Sequence, residues 1–216
     1  MVTKAPQSSR PALLIVDVQR DFCPGGALPA PGGDRIVPAL NRYIAEARES
    51  GMPIYASRDW HPAMTSHFRE YGGEWPPHCV QGTEGAQFHP GLQLPRNAIV
   101  INKGDVADRP GYSALEGRTE AGESLLDDLH ARRIDTLYVT GLTTEYCVKQ
   151  TVLDALRSGL RVNVLTDAVA GIDQRPGDAD RAVAEMLAAG ARITREIDVL
   201  TGAGRQTTQH RQRRTR

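Results

Sequence analysis

Six short apolar runs alternate with amphipathic segments along most of the chain. The first run, over residues 12–18, is almost entirely apolar, which is typical of a strand buried on both faces of a sheet. The alternation predicts an α/β fold, a three-layer α/β/α sandwich with a mostly parallel six-stranded sheet. Strands are predicted at 12–18, 53–57, 98–101, 136–140, 162–165 and 191–194, and helices at 35–50, 120–132, 144–158 and 178–189.

Residues 60–97 interrupt this alternation. The stretch is rich in Pro, Gly and aromatic residues and contains no clear element, and irregular segments of this length in a compact domain are usually functional. Four of the six histidines lie between residues 61 and 89. The aromatic residues fit core packing or, alternatively, a wall that stacks against a flat heteroaromatic ligand.

The length of the chain and its charge limit the number of domains and the kinds of partner. The 216 residues suit one α/β domain, which we place at residues 1–200, followed by an arginine-rich tail at 201–216 that we expect to be disordered. The formal net charge is zero because five arginines after Gly204 offset a body with 21 basic and 26 acidic residues. This excludes a basic field over the whole protein, and we expect no nucleic-acid partner.

The sequence shows no signal for export or membrane insertion. No apolar run approaches the roughly 20 residues that cross a bilayer, and residues 1–10 contain no apolar signal segment. The three cysteines are odd in number and widely spaced, which favours free thiols in a reducing compartment. We therefore expect a cytoplasmic protein with no membrane partner.

Three residues with reactive side chains lie at or just beyond the ends of predicted strands, where ligands bind in parallel α/β folds. Asp17 is either a general base or a buried carboxylate that bonds to loop amides. Lys103 is either a required ammonium group or a surface lysine. Cys147 lies in the first turn of a predicted helix, where the dipole lowers a thiol pKa, or it is a small buried hydrophobe.

Potential metal ligands lie at the start of the irregular segment. Asp59 and His61 are two residues apart, so both side chains point the same way in extended chain. His67 and His78 follow. A carboxylate with imidazoles suits zinc, iron or manganese, with an open position for water or substrate. The alternative is a set of ordinary hydrogen-bonded loop residues.

Five motifs, taken in order, resemble the nicotinamidase/pyrazinamidase branch of the isochorismatase-like hydrolases. They extend over nearly the whole chain, from about residue 12 to about residue 199. The motifs are Ile15-Val-Asp-Val-Gln-Arg-Asp-Phe22, Arg58-Asp-Trp-His-Pro62, Trp75-Pro-Pro-His-Cys-Val-Gln-Gly-Thr83, Lys103-Gly104 and Gly141-Leu-Thr-Thr-Glu-Tyr-Cys-Val148. The resemblance implies the isochorismatase-like hydrolase fold.

The resemblance also implies roles for individual residues. Cys147, Asp17 and Lys103 match the family's catalytic triad, in which the cysteine forms a thioester. Backbone N–H groups of Thr143 and Cys147 match its oxyanion hole, after a cis bond between Leu142 and Thr143. Thr143 and Glu145 stand where Ala and Asp are common in the family. Five positions match the lining of its ring pocket: Phe22, Leu28, Trp75, Tyr112 and Tyr146.

One divalent metal ion is implied as well, zinc by default, with iron or manganese as alternatives. In this family the metal binds the ring nitrogen of the substrate. Asp59, His61 and His78 match three of its ligands, and His67 matches the fourth, with Glu70 as a competing residue.

The implied activity is hydrolysis of nicotinamide, and also of pyrazinamide, to the acid and ammonia in NAD salvage. The main alternative keeps the triad but acts on another small amide or a carbamoyl compound, and relatives of that kind typically lack the metal ligands. A third, of another class, is binding of nucleic acid or a protein partner by the arginine tail. Because dimers and higher assemblies are common in the family, a homo-oligomer is compatible with the resemblance.

Overall fold

The computed structural model of the protein describes residues 9–194. The predicted end of the domain at residue 200 and the predicted tail at 201–216 lie outside the described residues. Within residues 9–194, no helix is both long and apolar enough to cross a membrane.

A sheet of seven strands forms the middle layer, in the order β4-β3-β2-β1-β5-β6-β7. All neighbouring pairs are parallel except β3 and β4, so the predicted mostly parallel sheet is confirmed. Because β1 lies at the centre of the sheet, its side chains are buried on both faces, as its apolar sequence predicts. The strands are β1 (Pro11–Val16), β2 (Ile54–Asp59), β3 (Ile99–Lys103), β4 (Arg118–Thr119), β5 (Thr136–Leu142), β6 (Arg161–Ala170) and β7 (Arg192–Thr194).

Helices cover both faces of the sheet. Leu13 and Ile15 of β1 belong to the core under the first helix, whereas Leu14 and Val16 belong to the core under the other three. Alternate residues of a strand point to opposite faces, so one central strand supports both cores. The predicted three-layer arrangement is therefore confirmed. The helices are α1 (Val37–Glu49), α2 (Leu125–Ala131), α3 (Lys149–Arg157) and α4 (Asp178–Ala188).

The region before α2 differs from the prediction. A helix was expected from residue 120, but Gly122 adopts a left-handed turn and the helix begins only after Ser124. The Ser124 side chain accepts a hydrogen bond from the Asp127 N–H group and so caps the helix. The residues before the turn form β4, a short antiparallel strand that gives the sheet seven strands instead of the predicted six.

The strand predicted at 162–165 is also longer than expected, since β6 extends to Ala170. In the structure Asp167 accepts hydrogen bonds from the side chains of Arg42 and Tyr43 on α1, which satisfies its carboxylate without ending the strand. This extension carries the chain to the edge of the sheet where the candidate site lies.

Gly141 allows β5 to approach β1 closely. A Cβ atom added at this position would meet the backbone oxygen and nitrogen of Val16, and the residue has a φ of 108°.

We expect Gly141→Ala to lower the free energy of unfolding by about 3 kcal/mol or more in urea denaturation, because the two central strands would have to separate.

Gly51→Ala is the matched control. Gly51 also has a positive φ, 70°, but no atom lies within 4 Å of an added Cβ atom. Its substitution should cost only about 1–2 kcal/mol, the strain of a left-handed alanine. Equal losses of stability in the two variants would contradict the steric explanation.

Candidate active site

Asp17, Lys103 and Cys147 meet at the carboxyl edge of the sheet. Asp17 directly follows β1, Lys103 is the last residue of β3, and Cys147 lies in the turn after β5. These strands are parallel, so their carboxyl ends share one edge. The structure thus brings together the three reactive residues that the sequence singled out.

The ammonium group of Lys103 lies at the centre of this group. Its Nζ atom is 2.8 Å from Asp17 Oδ2, 2.5 Å from Asp59 Oδ1 and 3.4 Å from Cys147 Sγ, and it donates a hydrogen bond to the carbonyl oxygen of Gly111. Only 1% of Lys103 is exposed, so the surface-lysine alternative is wrong. Burial lowers the pKa of Lys103, but the two carboxylates outweigh it and raise that pKa well above its ordinary value.

Asp17 combines a buried carboxylate with an unusual backbone. Its φ of 48° lies in the left-handed region, which aspartate tolerates better than most residues. The Ser57 hydroxyl donates a 2.7 Å hydrogen bond to Oδ1. Burial raises the pKa of Asp17 to about 6, while Lys103 and Ser57 oppose the increase. The carboxyl group therefore titrates close to neutral pH, which suits proton transfer.

Cys147 lies in a single π-helical turn, Thr144–Val148, that precedes α3. Its Sγ atom accepts a hydrogen bond from Lys103 Nζ and lies within 4.8 Å of a carboxylate oxygen of Asp17. Burial raises the pKa of the thiol well above its ordinary value, although Lys103 opposes the increase. The expected lowering of the thiol pKa by the helix start is therefore wrong, because desolvation outweighs it. The resting group is therefore a protonated thiol beside the carboxylate of Asp17.

The turn before the cysteine has the backbone that the resemblance implies. The peptide bond between Leu142 and Thr143 is cis. Thr143 and Cys147 both line the same cavity, described below.

His61, His67 and His78 form a buried cluster beside these residues. One ring nitrogen from each lies within 4.8 Å of the others. Asp59 adjoins the cluster, with its Oδ2 atom 3.7 Å from His61 Nε2 and 4.0 Å from His78 Nε2. Glu70, the competing candidate, is exposed and lies outside this three-histidine cluster.

The hydrogen bonds of the histidines fit metal ligation. Nδ1 of His61 pairs with the Gly104 carbonyl oxygen at 2.9 Å, and Nδ1 of His78 pairs with that of Pro76 at 2.8 Å. Because a carbonyl only accepts, each Nδ1 carries a proton, which leaves Nε2 of the neutral ring as the nitrogen that can bind a metal. Among the described residues, the buried His61 Nε2 has no hydrogen-bond partner.

His67 completes the set of donors. Burial lowers the pKa of His67 to about 3, with His61 and His78 adding to the decrease, so its ring is neutral at pH 7. Neutral imidazoles next to a carboxylate are ligands suited to zinc, iron or manganese. The cluster could therefore bind a divalent metal ion.

A small cavity connects Cys147 with His67 and His78. The Trp75 indole donates a 2.9 Å hydrogen bond to Tyr112 Oη, and the Tyr146 ring packs edge-on against Trp75. The aromatic wall suits a flat ring. The cavity is lined by all five residues predicted for the ring pocket, Phe22, Leu28, Trp75, Tyr112 and Tyr146, and also by Asp59, His67, His78, Thr143, Cys147 and Ile172.

Three residues of this site could not be identified from the sequence. Ile172 lines the cavity two residues after β6, so the strand-end rule would have indicated it had the strand been predicted at its full length. Ser57 bonds to Asp17 but lies inside a strand, where a lone serine has no distinctive signal. Gly111 contributes only its backbone oxygen to Lys103, and no side-chain pattern reports this.

The sequence matches the isochorismatase domain over residues 11–198. The chain belongs to the isochorismatase family.

Within that family it is similar to nicotinamidases. The nicotinamidase of Escherichia coli is 44% identical over 198 residues, covering 84% of this chain and 93% of the relative. The nicotinamidase/pyrazinamidase of Mycobacterium tuberculosis is 44% identical over 164 residues, covering 74% and 87%. The zinc complex of the Pyrococcus horikoshii pyrazinamidase is 46% identical with a TM-score of 0.80, covering 87% and 99%.

Metal binding by the histidine cluster can be measured directly. We expect the purified chain, stripped and then titrated with Zn²⁺, to bind about one equivalent in calorimetry, and His61→Asn to weaken binding at least tenfold, because it removes a buried donor nitrogen.

His130→Asn is the matched control, since His130 is exposed on α2. It should leave zinc affinity unchanged. Equal affinity in wild type and His61→Asn would show that the cluster does not hold the ion.

Proposed function

We propose that the protein is a nicotinamidase, which hydrolyses nicotinamide, and also pyrazinamide, to the acid and ammonia as a step of NAD salvage. Its strongest structural support is the contact of Cys147, Asp17 and Lys103 at a cavity with an aromatic wall and a histidine cluster. The similarity to the E. coli and M. tuberculosis enzymes supports the same substrate class.

The first half of the reaction forms a thioester. Asp17 takes the proton of the Cys147 thiol, and the sulfur attacks the carboxamide carbon. The ammonium of Lys103, 3.4 Å from the sulfur, stabilises the negative charge as it develops. Asp17 then gives the proton to the departing nitrogen, and ammonia leaves. A pKa of about 6 lets Asp17 serve in both directions near neutral pH.

The second half hydrolyses the thioester. Asp17 takes a proton from a water molecule, which attacks the acyl carbon, and the proton returns to the sulfur as the carboxylic acid is released. Backbone N–H groups of Thr143 and Cys147 stabilise the oxyanion formed in each half. Donors of this type are worth roughly 100- to 1000-fold in rate.

The ring of the substrate occupies the aromatic part of the cavity. A metal ion held by Asp59, His61, His67 and His78 would supply a Lewis acid that binds the ring nitrogen. Trp75 and Tyr146 pack against the ring and exclude water. The carboxamide thereby faces Cys147 in a fixed orientation, which is itself a large contribution to rate.

The proposed activity is tested by ammonia release. We expect release from nicotinamide by the wild type and a loss of at least about 1000-fold in kcat for Cys147→Ala, because no other nucleophile replaces the thiol. Cys23→Ala is the control: Cys23 is also buried but does not line the cavity, so its variant should retain activity.

Maleamate serves as the comparison substrate, because a maleamate amidohydrolase from Pseudomonas putida is 27% identical to this chain. Faster turnover of maleamate than of nicotinamide would favour the alternative small-amide activity. Undiminished activity of Cys147→Ala would contradict the mechanism.

The acid limb of the pH profile reports on Asp17. Only the ionised carboxylate accepts the thiol proton, so kcat/KM should fall as pH drops below about 6. Ser57→Ala removes a hydrogen bond that favours the ionised form, so the pKa of Asp17 should rise and the midpoint of the limb should move to higher pH.

Ser50→Ala, at the exposed end of α1, is the control and should leave the midpoint in place. A midpoint that stays fixed or moves to lower pH in Ser57→Ala would assign the limb to another group.

A further inference from the structure

Glu145 is a buried carboxylate near the nucleophile that the mechanism does not use. It lies two residues before Cys147 in the π-helical turn and is 7% exposed. Its Oε1 atom accepts a 2.7 Å hydrogen bond from the Asp173 N–H group. Its Oε2 atom is buried without a hydrogen-bond partner among the described residues. A carboxylate kept in such surroundings has a desolvation cost, which calls for a role.

Residues 171–173, the segment that bonds to Glu145, are held in place from two sides. Asp173 has a left-handed backbone with a φ of 56°, and its own carboxylate accepts a hydrogen bond from the Ala179 N–H group in the first turn of α4. On the other side, a Cβ atom added to Gly171 would lie 2.6 Å from Glu145 Oε2. Residues 171–173 are therefore clamped between the nucleophile turn and α4.

The residue at the centre of this clamped segment is Ile172, whose side chain lines the cavity together with Thr143 and Cys147. We propose that Glu145 is a positioning residue that sets the distance between the Ile172 wall and the nucleophile, and thereby how tightly the cavity holds the substrate ring. This inference rests on the proposed function.

The role depends on the reach of the side chain rather than on its charge. The oxygen that bonds to Asp173 must span the gap between the turn and the segment. Glu145→Asp keeps the charge but withdraws the carboxylate by about 1.5 Å, the length of one C–C bond. Glu145→Gln keeps the reach and the accepting oxygen but removes the charge. The two variants therefore separate reach from charge.

The test is steady-state kinetics with nicotinamide. We expect Glu145→Asp to raise KM five- to twentyfold with kcat within threefold of wild type, because the ring wall loosens while the reacting groups stay in place. Glu145→Gln should restore both parameters to within about twofold. Glu49→Asp makes the same change on the exposed end of α1 and should alter neither parameter.

A double-mutant cycle tests whether Glu145 acts on KM through Ile172. Ile172→Ala should raise KM in the same way, and Glu145→Asp combined with Ile172→Ala should raise it little further, because both changes act on one contact. If Glu145→Asp does not fold, Ile172→Ala and Glu145→Gln still test the idea, since the first must raise KM and the second must not.

The outcomes distinguish the inference from the proposed function. No turnover of nicotinamide by the wild type overturns the proposed function and the inference with it. Turnover by the wild type with an unchanged KM in Glu145→Asp overturns the inference alone. A fall in kcat without a change in KM, or additive effects in the cycle, would also overturn it.

Discussion

The candidate site is organised around one buried ammonium ion. Removing such an ion from water costs several kcal/mol, so the fold has to surround Lys103 with partners. The partners come from three places: Asp17 after β1, Asp59 at the end of β2 and the Gly111 carbonyl in the loop beyond β3. Satisfying one charge therefore fixes the relative positions of three segments that are distant in sequence.

Asp59 links Lys103 and the histidine cluster electrostatically. Its Oδ1 atom pairs with Lys103, and its Oδ2 atom faces His61 and His78. Burial raises the pKa of Asp59, but Lys103 and His61 outweigh this and keep that pKa below its ordinary value. The carboxylate that faces the histidines is thus ionised for the same reason that Lys103 is charged, since each stabilises the other.

The fold class could be predicted from local patterns in the sequence, whereas the roles of the site residues came from the resemblance of the five motifs to a known family. Apolar runs located the strands, and the strand-end rule placed Asp17 and Lys103 before any contact was known. The prediction failed where the controlling contact is distant: the carboxylate of Asp167 is satisfied by α1, so β6 continues to Ala170, two residues before Ile172. The pKa of the Cys147 thiol could not be predicted from the sequence either, because full burial is a tertiary property.

The loop after β3 begins and ends at two glycines whose backbones touch. An added Cβ atom at Gly111 would meet Gly104, and one at Gly104 would lie 2.5 Å from the His61 ring. The ends of the loop thus leave no space for any side chain, whereas residues 105–110 between them are exposed. Sequence variation among related chains should accordingly be concentrated in that exposed span, including changes of length, while the two glycines at its ends stay invariant.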